Sequence, residues 1–307
     1  MPKKSAPSGE PPLADCKFNS KRIDPAVAEQ TTIDHVIIAV ANLAQATADY
    51  SLLLGRRPSW QGSHPDHGTE NTLFKLDNIY IELLAASGSG MAADLVNQIL
   101  EERGQCLGGL VFATPRAESF IAHARAAGLP ASDPVPGHGV DKLTGTERHW
   151  RNMFWDPSAA MGIFSFCIEH DPASNLPEAA ILGEGPISAV DHVVVKTRDA
   201  DAAKRFYGDQ LGIRLALEQH VPEWGGTQLF FRASSMSIEV IASEKAGERD
   251  ELWGLAFKTQ NIAATHQRLL AAGCEVSDIR KGRKPGTQVC TLRSHCLNVP
   301  TLIIEGS

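Results

Sequence analysis

Apolar and polar positions alternate at the start of the first patterned segment of the chain. Val36, Ile38 and Val40 occupy every second position, which is the period of two that a β-strand requires. The spacing then changes to that of an amphipathic helix, between a candidate N-cap at Asn42 and a candidate C-cap at Gly55. Three shorter strand-like segments follow. The pattern therefore predicts a β-α-β-β-β module.

The same module returns further along the chain. Residues 33–36 (IDHV) return as residues 190–193 (VDHV), an offset of 157 residues, and Glu82 returns at the same offset as Glu239. The spacing between His and Glu is therefore identical in the two copies. A repeat at a fixed offset indicates a repeated structural unit.

A second repeat lies between the copies of the first. Residues 109–114 (GLVFAT) match residues 254–259 (GLAFKT), and each segment is followed by a helical pattern but lacks the His. The two repeats together predict an α+β fold of four βαβββ modules, paired into two cup-shaped domains. The predicted boundaries are an N-terminal arm at 1–31, domain one at 32–170, a linker at 171–188 and domain two at 189–307.

Composition narrows the classes of function. The chain has 307 residues and a formal net charge of −7, and it has no basic stripe, which argues against nucleic acid as the main partner. No apolar run is long enough to span a membrane. Residues 1–31 are polar and rich in proline, so we expect a disordered or loosely attached arm rather than a signal peptide. The six cysteines form no CxxC motif, which is typical of reduced thiols in a cytoplasmic protein.

The strand motifs resemble those of the vicinal oxygen chelate superfamily. The segments DHVIIAV, HPDHGTENTLFKL, IYIELLA and RHWRN look most like a glyoxalase-like domain, and the resemblance covers residues 32 to 305. This superfamily includes glyoxalase I, methylmalonyl-CoA epimerase, bleomycin-resistance proteins and type I extradiol dioxygenases. The resemblance implies two glyoxalase-like cups, each with a divalent metal ion held by the first and last strands of its modules.

Four residues match the metal ligands of the family. The resemblance implies that His35 and Glu82 bind metal in domain one and that His192 and Glu239 do so in domain two. Elementary physics also demands a partner for each Glu, because a carboxylate in an apolar strand is rarely buried unpaired. The ion implied is Zn, Mn, Fe, Co or Ni.

The remaining family ligands are missing. In the second module of each domain, the His position falls on 108–109 (GG) or 253–254 (WG), and the Glu position falls near Phe166 or Leu302. A catalytic metal site usually has about three protein ligands. Three solutions stay open: another residue completes each site, two half-sites meet within the chain or in a homodimer, or no metal binds. The candidates for completion are His67, Asn71 and His149 in domain one, and His220, Gln228 and His295 in domain two.

Domain one has the denser set of polar candidates. Alternation places His149 and Arg151 on one face of a strand with Trp150 opposite, and Arg is suited to binding carboxylates. We expect the catalytic residues to be His35, Glu82 and His149. The expected substrate-binding residues are His67, Asn71, Arg151 and Gln228.

The leading hypothesis is a metal-dependent lyase or isomerase of glyoxalase type. It would act on a small oxygen-rich or carbonyl-bearing metabolite, and the ion would stabilise an enolate or alkoxide. One alternative is a ring-cleaving extradiol dioxygenase with non-haem iron. The other is a metal-free binding or resistance protein, which would explain the missing ligands directly.

Overall fold

A computed structural model describes residues 31–221 and 226–306, so the predicted N-terminal arm, apart from Thr31, lies outside the described residues. The first module comprises β1 (Thr32–Ala39), α1 (Leu43–Leu54), β2 (Trp60–His64), β3 (Thr69–Lys75) and β4 (Tyr80–Ala86). After α2 (Met91–Arg103), the second module comprises β5 (Cys106–Ala113), α3 (Ala117–Ala126), β6 (Val135–Asp141), β7 (Glu147–Phe154) and β8 (Ser165–His170).

Domain two repeats this order. Its first module comprises β9 (Ile187–Thr197), α4 (Ala200–Ala203) with a π-helix at Lys204–Gln210, β10 (Arg214–Val221), β11 (Gly226–Ala233) and β12 (Met236–Ser243). Its second module comprises β13 (Glu251–Thr259), α5 (Ile262–Ala271), β14 (Arg280–Lys281), β15 (Gln288–Leu292) and β16 (Thr301–Glu305). The predicted α+β class and the fourfold βαβββ order are confirmed.

The two domains differ in how their sheets end. Domain one is a closed barrel with the strand order β1-β4-β3-β2-β6-β7-β8-β5. Within each module the first strand runs parallel to the last, and the first strands of the two modules pair antiparallel. Domain two has the equivalent order, β10-β11-β12-β9-β13-β16-β15-β14, as an open sheet with β10 and β14 at its edges. The repeats predicted two equal cups, whereas the structure has one closed barrel and one open cup.

Closure of the barrel depends on the contact between β2 and β6. These strands meet over only two residue pairs. The buried Asp141 carboxylate accepts hydrogen bonds from the backbone N–H groups of Gln61, Leu143 and Thr144, at 3.3, 2.9 and 2.8 Å. One side chain therefore ties β2 to the turn after β6. In domain two, β14 is only two residues long and the following turn, 282–287, contains no acidic residue.

Helix α1 covers the outer face of the barrel. Asn42 Oδ1 accepts a hydrogen bond from the backbone N–H of Gln45, and Gly55 ends the helix with a φ of 63°, which glycine adopts without strain. The structure confirms both predicted caps. The buried face of the helix packs on the outward residues of β1, so the inward residues, His35 and Ile37, are left for the barrel interior.

The linker between the domains is attached to domain one. Leu176 packs on Trp60, Leu73 and Tyr80, at one end of the barrel. The backbone N–H of Leu182 then donates to the carbonyl of Gly55 at 2.8 Å. No helix of the two described ranges is long and apolar enough to cross a membrane.

Arg268 of α5 joins domain two to the end of α1. Its guanidinium donates to the carbonyls of Leu52, Leu53 and Gly185, at 3.0 Å for Leu53 and 3.3 Å for Gly185. The last carbonyls of a helix lack partners within the helix, and a cation there also interacts favourably with the helix dipole.

Replacing Arg268 by Ala should lower the free energy of unfolding by about 2 kcal/mol, because several carbonyls lose a charged donor at once. Urea unfolding followed by circular dichroism measures this. Arg125→Ala is the matched control, since Arg125 is half exposed and bonds only to Ala131 and Asp133 within domain one. The control should lose less than about 1 kcal/mol. Equal losses would contradict a special role for Arg268.

Candidate active site

A β-bulge in β1 brings two adjacent polar side chains together. The antiparallel register with β5 shifts between Ile33 and His35, which leaves Asp34 as an extra residue in β1. A bulge of this kind changes the direction in which a side chain points. Asp34 Oδ2 lies 2.6 Å from His35 Nδ1. The bulge and this contact fix the orientation of the imidazole, whose Nε2 is directed towards β4.

Strands β4 and β3 complete a chain of buried polar groups. Glu82 on β4 lies opposite Ile37 of β1, and its Oε2 is 3.2 Å from His35 Nε2. Its Oε1 accepts a hydrogen bond of 2.7 Å from Nδ2 of Asn71 on β3. His35, Glu82 and Asn71 are 4%, 7% and 3% exposed. We call Asp34, His35, Glu82 and Asn71 the polar chain of domain one.

The polar chain is ionised at neutral pH. Burial alone would lower the pKa of His35, but its hydrogen bonds with Asp34 and Glu82 outweigh burial and raise that pKa to about 9. Burial alone would raise the pKa values of Asp34 and Glu82, but hydrogen bonds from neighbouring imidazoles outweigh it and lower both. His170 of β8 is the second imidazole on Asp34, with Nε2 2.8 Å from Oδ1.

Aromatic rings surround His35 inside the barrel. Tyr80 stacks on the imidazole with ring centroids 4.4 Å apart, and Phe166 meets it edge-on at 6.4 Å. Burial raises the pKa of the Tyr80 phenol well above its usual value, so the hydroxyl stays protonated. On the other side of the interior, Trp150 meets His64 edge-on at 6.0 Å.

Two further basic side chains face this interior. His64 Nδ1 lies 3.0 Å from the hydroxyl of Thr69, and burial lowers the pKa of His64, so the imidazole is neutral at pH 7. Arg148 is buried, with its guanidinium carbon 5.7 Å from the Trp60 ring and 5.8 Å from the Tyr80 ring. The barrel therefore encloses a neutral base and a fixed cation beside the polar chain.

Domain two contains the same chain in a more open setting. A bulge at Asp191 again places Oδ2 beside His192 Nδ1, at 2.8 Å, and His192 Nε2 is 3.2 Å from Glu239 Oε2. Gln228 donates to Glu239 Oε1 at 2.6 Å, and Lys258 binds Asp191 at 3.1 Å, as His170 binds its counterpart. The His and Glu side chains are 16% and 13% exposed, against 5% and 9% in domain one.

The structure unites some predicted site residues and separates others. Those that lie in the two polar chains are His35, Asn71, Glu82, His192, Gln228 and Glu239. Glu169 and Glu305, near the ends of β8 and β16, accept hydrogen bonds from the first backbone N–H groups of α3 and α5. They therefore stabilise helix N-termini.

The prediction that His149 and Arg151 line the cup is wrong. Both lie on the outer face of β7, where His149 is exposed and Arg151 pairs with Glu118 of α3. Trp150 occupies the inner face, since Gly137 and the neighbouring Gly139 of β6 carry no Cβ and leave space for the indole. Alternation identified the two faces correctly, but it does not tell which face is buried.

The prediction that His67 lines the cup is also wrong. His67 is exposed at the end of the 3-10 turn Pro65–His67, and the nearby His64 faces the interior instead. In domain two, His220 is exposed on β10, and His295 bonds to the hydroxyl of Ser294. None of these three completes a cluster with the Glu of its domain.

Three site residues were missed from the sequence: Asp34, Asp191 and Arg148. The Asp-His dipeptide recurs in both copies of the first module, and that recurrence was a usable signal. Nothing in the alternation separated His64 from His67, because the turn between them breaks the period of two. Arg148 lies on the inner face of β7 with Trp150, and the alternation does not tell that this face is the buried one.

The groups around His35 and Glu82 fit a divalent metal ion. Two ligands with bonds near 2 Å to one ion would stand about 3 Å apart, as Nε2 and Oε2 do. Asp34 holds Nδ1, as a carboxylate commonly does for a metal-binding imidazole. Asn71 Oδ1 is buried without a partner and would supply a third donor. The amide is needed, because residues 31–221 and 226–306 contain no suitable cluster of three His, Cys, Asp or Glu.

Two domains of paired βαβββ modules, one a closed barrel and one an open cup, each with a His-Glu pair, define a glyoxalase-like architecture. A family described as "Glyoxalase-like domain" matches residues 33–186, about half of the chain, and the "Glyoxalase/Bleomycin resistance protein/Dioxygenase superfamily" matches residues 191–291. The chain belongs to the glyoxalase-like family of the vicinal oxygen chelate superfamily. Members of this superfamily typically use a divalent metal ion. No curated protein matches the sequence.

Several solved structures share the two-domain architecture. A triple mutant of 4-hydroxymandelate synthase from Streptomyces coelicolor aligns with a TM-score of 0.65 at 15% identity, over 90% of this chain and 92% of that one. A hypothetical protein from Staphylococcus aureus aligns with a TM-score of 0.62 at 11% identity, over 89% and 98% of the two chains. At such identities the likeness shows the fold alone.

The raised pKa of His35 predicts a loss of stability at alkaline pH in protein freed of divalent ions. Because the folded pKa of about 9 exceeds the ordinary value of 6.5, the contribution of His35 is full below pH 6.5 and is lost as pH rises through 9. Urea unfolding between pH 6 and 10 should show this fall in wild type but not in His35→Gln. His67→Gln, at an exposed site, should behave like wild type. The same fall in both variants would contradict the assignment to His35.

Proposed function

We propose that the chain is a metal-assisted lyase or isomerase of glyoxalase type, with its active site inside the closed barrel of domain one. The observation that carries the proposal is the 3.2 Å approach of His35 Nε2 and Glu82 Oε2, which Asp34 and Asn71 hold in place from neighbouring positions. The substrate is a small oxygen-rich or carbonyl-bearing metabolite.

The polar chain would hold the ion and orient the substrate beside it. His35, Glu82 and Asn71 would be the ligands. A bound divalent ion supplies a Lewis acid that stabilises an enolate or alkoxide. Asp34 keeps the imidazole in one orientation, because it engages Nδ1 and leaves Nε2 to face Glu82. His35, Glu82 and Asn71 are buried, and electrostatic interactions are stronger at buried atoms than in water.

His64 is the proposed proton carrier. A general base is most effective when it is neutral at the working pH and close to the proton it removes. His64 is neutral because burial lowers its pKa, and it lies near enough to Glu82 for that charge to affect its titration. It would take a proton from a carbon next to the substrate carbonyl and return it to an adjacent atom.

One difference between the two polar chains favours domain one as the location of the proposed active site. Among the described residues, the buried amide oxygen of Asn71 has no partner, whereas the equivalent oxygen of Gln228 accepts a hydrogen bond of 2.7 Å from Gln219. Only the first amide therefore has an oxygen available for a ligand. Domain two, with its open sheet and occupied amide, is a related copy of the site.

Removing either ligand in domain one should abolish metal binding and turnover. We expect wild type, reloaded with Zn, Mn, Fe, Co or Ni, to hold about one ion per chain by mass spectrometry. His35→Ala and Glu82→Ala should hold none, while the matched variants His192→Ala and Glu239→Ala retain it. Circular dichroism verifies that each variant is folded.

Two results would count against the proposal. If wild type holds no ion after reloading with any of the five metals, the metal-free binding alternative replaces it. If the domain-two variants lose the ion and the domain-one variants keep it, the assignment to domain one is reversed.

A further inference from the structure

Arg148 is a buried cation that has no counter-ion among residues 31–221 and 226–306. The residue is only 6% exposed, and its Nε has no hydrogen-bond partner anywhere in the described chain. The contacts of its guanidinium are the faces of Trp60 and Tyr80, at 5.7 and 5.8 Å. A buried charge is normally paired, because its desolvation is unfavourable by several kcal/mol.

Other internal arginines of the chain have oxygen partners. Arg56, buried to a similar degree, donates from Nε to the carbonyl of Ile187 at 2.7 Å. Arg268 donates to three carbonyls at the domain interface. Arg148 differs from both, because its guanidinium contacts aromatic faces and its Nε has no acceptor in the part of the chain that the structure describes. Such a guanidinium is prepared to bind an anion.

The unpaired cation lies close to the proposed reaction centre. Arg148 Cζ is 5.8 Å from the Tyr80 ring, and that ring is 4.4 Å from the His35 ring, so the guanidinium carbon is within about 10 Å of the imidazole. Leu176 packs against the rings of Trp60 and Tyr80. A molecule that touches both Arg148 and His35 must therefore be short.

We propose that Arg148 binds the carboxylate of a short oxo- or hydroxy-carboxylic acid, whose carbonyl or hydroxyl oxygen reaches His35 and Glu82. The proposal rests on the proposed function, since it names the substrate class of the same site. The planar guanidinium matches a carboxylate with two parallel hydrogen bonds. Because the guanidinium carbon lies within about 10 Å of the imidazole, only an acid of about three to five carbon atoms would contact both groups at once. A neutral compound of the same size would leave Arg148 unpaired and would bind weakly.

The test compares an acid with a neutral analogue in protein kept in EDTA. Pyruvate and 2-oxobutyrate should raise the melting temperature of wild type and bind in isothermal titration calorimetry, whereas hydroxyacetone, the neutral analogue of pyruvate, should do neither. Arg148→Met should weaken the binding of both acids by about tenfold or more. Arg148→Lys keeps the charge but loses the planar guanidinium, so its affinity for both acids should lie between those of wild type and Arg148→Met. Arg151→Met, on the outer face of the same strand, is the matched control and should bind as wild type does.

Stability of the unliganded variants separates a ligand-binding role from a structural one. Removing an unpaired buried charge should leave the melting temperature of Arg148→Met unchanged or higher. The proposal is overturned if neither acid binds wild type, or if Arg148→Met binds the acids as tightly as wild type does. It is also overturned if Arg148→Met is less stable than wild type while its binding is unaltered. Tighter binding of inorganic phosphate than of both acids would overturn it as well. Because EDTA is present throughout, a failure of metal binding leaves these results interpretable on their own.

Discussion

A barrel interior can hold an ionised imidazole only if carboxylates pair with it, and in domain one the partners of His35 come from different strands. Asp34 and His35 come from β1, Glu82 from β4 and Asn71 from β3. A slip of one residue between any of these strands would turn one partner to the outer face. The polar chain therefore helps to fix the strand register as well as the proposed chemistry.

The two domains show how enclosure changes an otherwise equal set of side chains. The polar chain of domain two has the same order and nearly the same distances, yet its sheet stays open at β10 and β14. Closure in domain one depends on a small local feature, the Asp141 carboxylate that joins β2 to the following turn. Domain two repeats the His, the Glu and the amide without such a carboxylate. The identity of these polar residues alone therefore does not determine whether the site is closed.

The sequence predicted what depends on repetition and failed where repetition is broken. The offset of 157 residues predicted the module order, and it identified both His-Glu pairs and the amide beside each Glu. The bulge at Asp34 interrupts the period of two, so the role of this residue was hidden. The inner face of β7 was misassigned because both faces carry a cation and a ring, and only the glycines of β6 decide which face is buried. Barrel closure was not predicted, because it follows from hydrogen bonds of a turn rather than from a periodic pattern.

Leu176 gives the linker a structural role in domain one that the strand boundaries do not indicate. It lies beyond β8, yet it covers the rings of Trp60 and Tyr80, and Tyr80 is the ring stacked on His35. A chain that stopped at His170 would contain every strand of the barrel. It would lack Leu176, so the rings of Trp60 and Tyr80 would be uncovered. Domain one therefore extends beyond its last strand, and the family match likewise continues past β8 to residue 186. If recombination or proteolysis separates the two domains, the barrel should stay intact only when the chain is cut after the linker's last contact with α1.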